Sequence, residues 1–565
     1  MSRYLIIDFY VDEPSCLGVP PYISPYVRYT AGALKYHIPD SEVDYISVDE
    51  LRLMNYSIEP GIYTLIYIIA GVTVPGKYLG GKIGSAAELI TFMKNNARYL
   101  GKIVAGGPIS HSPTQILDGF ARERLQVVHS VELAAALYAS GRDALPGNAV
   151  DLSYREISNY AQAGAFIIQK HFRYPYVIME LETYRGCTRK VHCSFCSEQF
   201  IGSVENREVE EIVDEVSTLY SFGARYFRLG KQADIFSYYA DKNVVKHGFL
   251  KPSAKHLERL YHGIREAAPQ LKVLHLDNVN PGTLALFPEE CSEIASIICS
   301  NNTHLDTAAM GMESADPEVI RVNHLKADAG QIKKAIAMID RIGRQNGSLP
   351  RLTAGINLIG GLPGESENTF ALNYQFLKDI YESDLLLRRI NIRQISPISG
   401  SEAFMMMQQR KNPGEKRRLN KFQYFKEKIR EEIDIPMLKK IFPPGTVIPN
   451  VILEKRVPGG FLGRPMGSYP ITFHLWATDE FINEKIVMQN YLGPFKEVDV
   501  VVVGYKERTL YSLSLGDDLN KISMAVWRKF VGREVAEAIW TKGLNLSSAY
   551  LPAWLQTPLK LYNLI

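Results

Sequence analysis

Cys187, Cys193 and Cys196 lie within ten residues of one another in YRGCTRKVHCSFC (Tyr184–Cys196), half of the six cysteines in a chain of 565 residues. Thiols gathered this closely in a chain otherwise poor in cysteine point to a metal site. Two metal chemistries fit the donors. Zinc would take the three thiolates and His192 as a tetrahedral set, although His192 and Cys193 are adjacent and neighbouring residues reach one ion with difficulty. A [4Fe–4S] cluster would take the three thiolates on three of its irons and leave the fourth open for chemistry. Incidental thiols are the third reading. Cys16, Cys291 and Cys299 are remote in sequence, so no second cluster is expected.

Such a loop needs a frame. VIMELET (Val177–Thr183) precedes it and reads as a buried strand, and loops at the C-terminal ends of barrel strands carry chemistry. From about 180 to 402 strand and helix patterns alternate: YVIMELET, ARYFRLG, KVLHLDN, TAAMGME, AGINLIGG and RINIRQIS as strands, with EVEEIVDEVSTLYSFG and HLERLYHGIREAAP among the helices. Six strands predict a partial or complete parallel barrel. Residues 1–150 alternate in the same way, with Tyr4–Val11, Val43–Leu51, Thr64–Gly71 and Lys102–Pro108 as strands, and predict a Rossmann-like doubly wound sheet. Ser85–Gly101 reads as an amphipathic helix closed by glycine. A connector spans 151–179, and a charged helical linker spans 403–443. Short strands with glycine turns over 444–515 predict a small β-barrel, and 516–565 reads as a helical hairpin and tail.

The net charge of +3 places any nucleic-acid surface in a local patch. With 46% hydrophobic residues the chain can bury large cores, and its length suggests about three or four domains. The N-terminus lacks the basic start and apolar core of a signal peptide. No uncharged run reaches the ~18 residues that span a bilayer. A soluble, cytoplasmic protein is expected.

The cysteine loop resembles that of the radical S-adenosylmethionine (SAM) superfamily. The usual signature follows the first barrel strand: a cysteine, three residues, a cysteine, one residue, an aromatic and a cysteine. Phe195 fills the aromatic place, and the first spacing here is two residues longer. Further segments are similar to the family pattern, in the family's order. FRLGKQADIF (Phe227–Phe236) falls at the end of the second strand. MGMESADPEVIRVNHL (Met310–Leu325) resembles the Gly-x-Glu-Ser segment. GINLIGGLPGESENTF (Gly355–Phe370) resembles the glycine-rich fifth strand and its Pro-Gly-Glu turn. INIRQISPISGS (Ile390–Ser401) resembles the sixth strand. The resemblance implies a [4Fe–4S] cluster on Cys187, Cys193 and Cys196 and SAM held by Phe195, Gln232, Glu313, Ser314, Gly360 and Gly361. It also implies an electron donor as partner and a 5′-deoxyadenosyl radical that attacks C–H bonds. Ordinary strands and turns are the alternative for each segment taken alone.

An α/β sheet ahead of such a barrel resembles cobalamin-binding relatives, and VAGGP (Val104–Pro108) is similar to their glycine turn. No histidine stands in Asp-x-His-x-x-Gly, so cobalamin is possible but not favoured. Methylthio transfer is not expected either, because only Cys16 lies upstream of the triad. Pro444–Ile471 resembles a TRAM-like or OB-like barrel, a fold often used on tRNA. Its expected RNA-binding face is Lys455, Arg456, Phe461, Arg464 and Tyr469. The basic helix with Lys416, Arg417, Arg418 and Lys421 is a weaker candidate, since such charge runs are usually solvated faces. Leu519–Gly543 resembles a degenerate helix-hairpin-helix with one hairpin glycine, Gly532, as in archaeal radical SAM proteins carrying this motif. The sequence therefore predicts a radical SAM enzyme that modifies RNA, with tRNA foremost. Its rivals are a radical SAM enzyme for a small molecule, lipid or peptide, and a non-catalytic zinc-containing RNA-binding protein. The catalytic residues, the atom modified, the group transferred and the oligomeric state are not legible.

Overall fold

The computed structural model describes residues 2–11, 22–59, 61–71, 81–99, 101–111, 124–142, 152–200, 202–345, 348–409, 415–476, 496–506, 508–516, 519–546 and 551–561. Cys16 lies outside these residues.

The chain opens with a five-stranded parallel sheet made of β1 (Arg3–Asp8), β3 (Glu42–Ser47), β4 (Leu65–Ile69), β5 (Lys102–Gly106) and β6 (Leu125–Val128), in the order β3-β1-β4-β5-β6. This is the flavodoxin-like doubly wound order. The strands read as unbroken apolar runs because both faces are covered. Tyr4, Ile6, Tyr67 and Ile69 pack to one side with the helix Pro25–His37. Leu5, Ile7, Ile66 and Ile68 pack to the other with the helix Ala86–Asn95. Two expectations shift here. The strand expected over Val43–Leu51 ends at Ser47, whose side chain and Glu50 form a capping box that starts the helix Val48–Leu53. The helix expected to close on glycine at Gly101 ends at Asn96, whose side chain caps Tyr56 and Phe92 carbonyls.

The short strand β2 (Tyr22–Ile23) leaves this sheet and joins the barrel, pairing in parallel with β7 (Ile178–Glu182). After β7 come a two-stranded pair, β8 (Tyr184–Arg185) with β9 (Glu205–Asn206), and then β10 (Tyr226–Gly230). A hairpin of β11 (Asp241–Lys246) and β12 (Phe249–Lys251) follows, and then β13 (Val273–Leu276). β7, β10 and β13 are parallel neighbours. β14 (Asp306–Glu313), β15 (Leu352–Gly360) and β16 (Leu387–Gln394) form the other arc. A parallel bridge between Val279 and Met310 joins the arcs. These are the six strands expected, arranged as a partial (β/α)6 barrel.

Buried charges lock the first sheet's helix to the barrel. Arg28 on Pro25–His37 donates to Glu215 at 2.6 and 3.0 Å and to the Glu180 carbonyl at 2.6 Å, and Arg207 pairs with the same Glu215. The helices Pro25–His37 and Tyr154–Ala163 touch backbone to backbone at glycines. A Cβ on Gly32 would lie 1.8 Å from the Tyr160 oxygen, and one on Gly164 would lie 1.9 Å from the Arg28 oxygen. Part of the connector is thus a packed helix, Tyr154–Ala163.

At the C-terminal side, β17 (Val447–Val457), β18 (Gly460–Pro465), β19 (Thr472–Trp476), β20 (Lys496–Lys506) and β21 (Thr509–Ser514) close a barrel in the order β17-β18-β19-β21-β20. β19 and β21 run in parallel, and the remaining pairs are antiparallel. Counted along the chain this is 1-2-3-5-4, a Greek-key barrel of the OB-like kind expected. The helices Met524–Val531 and Arg533–Leu546 turn at Gly532 (φ 85°), the hairpin glycine read from the sequence, and pack with Val501, Leu513 and Leu515 of the barrel.

Candidate active site

The cysteine loop lies beyond the C-terminal end of β7, and its shape is set by the segments it touches. Gly186 has φ 83°, a conformation that favours glycine, and it turns the chain into Cys187. Ser194 donates its hydroxyl to Asn323 at 2.7 Å and its backbone N–H to the Asn323 carbonyl at 3.1 Å. Asn323 in turn donates to the Pro363 carbonyl at 2.7 Å, so one asparagine ties the cysteine loop to the Pro-Gly-Glu turn after β15. Arg189 donates to Cys193 Sγ at 3.3 Å and to the His324 carbonyl at 3.0 Å. Cys193 packs with Val319, Leu325 and Leu362, and Phe195, Cys196, Ile359 and Ile395 border that apolar cluster. The ends of β14, β15 and β16 are thereby brought against Cys193 and Cys196.

The electrostatics centre on Lys326. Burial opposes its ammonium, yet Cys193, Glu313, Cys196 and Cys187 around it raise its pKa overall. Burial pushes the Cys196 thiol up to about 12 and raises Cys187 as well. Glu313 is 6% exposed, and burial pushes it up to about 7 against the pull of Lys326 and Arg393. Its backbone is left-handed, φ 63°, at a register shift between β14 and β15. That kink folds the carboxylate back over Gly311, where a Cβ would lie 2.3 Å from Glu313 Oε1 and 2.6 Å from Lys326 Nζ. An anion and a cation thus share one small space beside the thiols.

Among the described residues no three Cys, His, Asp or Glu side chains gather as ligands of one ion. On a [4Fe–4S] cluster each thiolate would instead take a separate iron, with Lys326 beside them to offset its charge. Cys291 and Cys299 are buried in the helix Pro288–Asn301.

The other residues read from the sequence divide. Gln232 is buried where β10 ends, accepting from Thr183 at 3.2 Å and donating to the Leu229 carbonyl at 3.1 Å, so its amide joins the ends of β7 and β10. Ser314 is fully buried, and its hydroxyl donates to Asn373 at 3.4 Å and accepts from Asp316 N–H at 3.1 Å. A Cβ on Gly360 would lie 2.7 Å from the Phe422 ring on the outer helix Glu415–Ile429. Gly361 (φ 89°) turns the chain and gives its N–H to Glu365 at 2.7 Å. Both glycines line an open cleft of about 280 Å³ with Gln394, Ile395, Met407 and Arg418.

The residues of the expected RNA face divide between core and surface. Phe461 and Tyr469 are core residues at 0% and 1% exposure. Arg464 is buried in an ion-pair group with Glu454 (2.6 Å) and Arg173. The reason is docking: Ile452 and Met466 pack with Ile178, Tyr226 and Val273, the first residues of β7, β10 and β13. The small barrel plugs the end of the large barrel opposite the cysteines. Lys455 and Arg456 remain exposed. In the basic helix, Arg417 and Lys421 pair with Glu367, and Arg418 lines the cleft; the Lys416 side chain lies outside the description.

Sequence reasoning missed Arg189, Asn323 and Lys326. Arg189 lies between the first two cysteines, a signal that was available. Lys326 follows directly on the segment read as family-like, but nothing in its neighbours marks it.

No family model matches the chain. Whole-length relatives do. The uncharacterized protein MJ0274 of Methanocaldococcus jannaschii is 37% identical over 527 residues, 90% of this chain and 93% of that one. An uncharacterized protein of Archaeoglobus fulgidus is 38% identical over 540 residues, 94% of each chain. Ribosomal protein uS12 methylthiotransferase RimO of Histophilus somni is 25% identical over 313 residues, 54% of this chain and 62% of that one. The chain belongs to the same family as these two uncharacterized proteins. Among solved structures, the chain is similar to the radical SAM methyltransferase TsrM of Kitasatospora setae, solved with cobalamin and a [4Fe–4S] cluster. That match has TM-score 0.45 and 14% identity over 69% of this chain and 72% of TsrM. The cobalamin-dependent SAM radical enzyme OxsB matches with TM-score 0.44 and 14% identity, over 76% of this chain and 56% of OxsB. No described helix is long and apolar enough to cross a membrane.

Proposed function

We propose that this protein is a radical SAM enzyme that uses a [4Fe–4S] cluster to modify RNA, tRNA being the first candidate. The observation that carries the catalytic half is the convergence of Cys187, Cys193 and Cys196 on Lys326 at the C-terminal end of a parallel barrel. When bound, the cluster supplies the electron that cleaves SAM to a 5′-deoxyadenosyl radical. Everything else falls to the chain. The three thiols would hold three irons, releasing the protons that burial favours. Lys326 would offset the negative charge of thiolates and sulfides. Glu313 and Lys326 offer opposite charges to the amino and carboxylate groups of SAM. Phe195, Ile359, Leu362 and Ile395 keep water from the site. Gln232 acts as a brace for the ends of β7 and β10.

The RNA half is supported by the OB-like strand order and by exposed Lys455 and Arg456. Burial of Phe461, Arg464 and Tyr469 favours the second reading, a small-molecule, lipid or peptide substrate with the small barrel as a plug. Comparing modified nucleosides in RNA from a deletion strain and its parent decides between them. Loss of one nucleoside supports RNA modification, and identical profiles support the second reading.

A further inference from the structure

We propose that the β11–β12 hairpin is an RNA-docking arm standing at the catalytic end of the barrel. The proposal rests on the RNA reading above and says where that RNA is held. The hairpin follows β10 directly, on the side of the barrel where the cysteines lie. All six residues of β11 are exposed, including Val244 at 42% and Val245 at 46%. β11 pairs only with β12 among the described residues, so its outer edge is open. From Asp241 to Lys255 the chain has four lysines, Lys242, Lys246, Lys251 and Lys255, against one aspartate, and Glu290 offsets Lys251, which leaves a local excess of two positive charges. Lys251 pairs with Glu290, and Lys246 donates to the Leu286 carbonyl, which holds the ribbon upright on its neighbours.

The arm is joined to the cysteine loop at its base. Phe249 is 6% exposed and lies under the Arg189 guanidinium, 5.3 Å from its ring centre. Arg189 is the same side chain that donates to Cys193 Sγ. A polyanion held along β11 would therefore lie beside the thiols, whereas one held only on the small barrel would lie at the opposite end. Phosphate contacts from lysines fix register without reading bases, and a narrow two-stranded ribbon is a suitable carrier for them. The competing account is that the lysines merely guard an open sheet edge, and it assigns them no effect on RNA.

The test uses full-length, anaerobically reconstituted protein and bulk tRNA in gel shifts across a salt series. The variant is K242A/K246A/K255A, with iron and sulfide content equal to wild type as the check that the cysteine loop is intact. Each lost phosphate contact flattens the salt dependence by about 0.7 on single strands, so the slope should fall by about two units with at least a tenfold loss of affinity. A second variant, with residues 241–251 replaced by a short Gly-Ser linker, should show the same loss. Wild type that binds tRNA while the triple variant keeps its slope overturns the arm and leaves RNA modification standing. No salt-dependent binding by wild type overturns both. Binding of poly-glutamate but not tRNA would give the arm to an acidic protein and also overturn the proposal.

Discussion

At the residue scale, Lys326 is the side chain whose removal separates a charge-balancing role from a merely structural one. Lys326→Met takes a cation from beside the thiols, so the cluster becomes harder to reduce. Its midpoint potential should fall by tens of millivolts (the order expected of one nearby charge), with Lys326→Arg close to wild type. An unchanged potential in Lys326→Met contradicts this role. The thiols were legible because their spacing in a cysteine-poor chain is itself a signal. Lys326 was not, because it reaches them only through the kink at Glu313 and the helix Pro317–Val322, which no local pattern announces. The burial of Arg464, Phe461 and Tyr469 was not legible for a related reason. Basic and aromatic residues on a small barrel read as a binding face until it is known which face another part of the chain covers.

At the element scale, β15 and the seam between the barrels make two predictions. Gly360→Leu should destabilise the fold by about 1–3 kcal/mol through overpacking against Phe422. Adding Phe422→Ala should recover part of the lost melting temperature. If the single variant melts like wild type but loses SAM binding, Gly360 faces the adenosine after all. At the seam, Ser468 donates its N–H to His275 Nδ1 at 2.9 Å and its hydroxyl to Asp306 at 2.9 Å. Burial holds His275 down to about 3 and pushes Asp306 up to about 7. Between pH 7 and 5 the unfolded chain gains a proton at His275 that the folded chain refuses, which costs stability. Over the same range the folded chain gains one at Asp306 that the unfolded chain binds only near pH 4, which adds stability. The two offset in wild type. Asp306→Asn removes the second, so its deficit against wild type should widen by about 2 kcal/mol from pH 7 to pH 5 in denaturant titrations. A deficit independent of pH contradicts the assignment. The six barrel strands were legible as long apolar runs, whereas β11 and β12 were not, since an exposed strand has no buried face to impose a pattern.

At the scale of the whole molecule, a doubly wound sheet, a parallel barrel and an OB-like plug are bound together by buried charges: Arg28 with Glu215, Arg173 and Arg464 with Glu454, and Arg388 with Asp434. Removing one partner of such a pair leaves a buried charge alone and costs about 3–5 kcal/mol. Glu454→Gln should thus loosen the plug and lower the melting temperature while leaving the thiols in place. Loss of iron binding at unchanged melting temperature would contradict that division of labour. The order of the parts was legible because each has its own periodicity; their docking was not, because it depends on surfaces that meet only in the folded chain. The central claim is that the three cysteines hold one cluster that cleaves SAM. The direct measurement is iron and sulfide per chain together with 5′-deoxyadenosine formed on reduction with SAM, for anaerobically reconstituted wild type and for Cys187→Ala, Cys193→Ala and Cys196→Ala. The account predicts about four irons, absorbance near ~400 nm and 5′-deoxyadenosine in wild type, all lost in each variant. One zinc or about eight irons in wild type, or 5′-deoxyadenosine still formed by any of the variants, would contradict it.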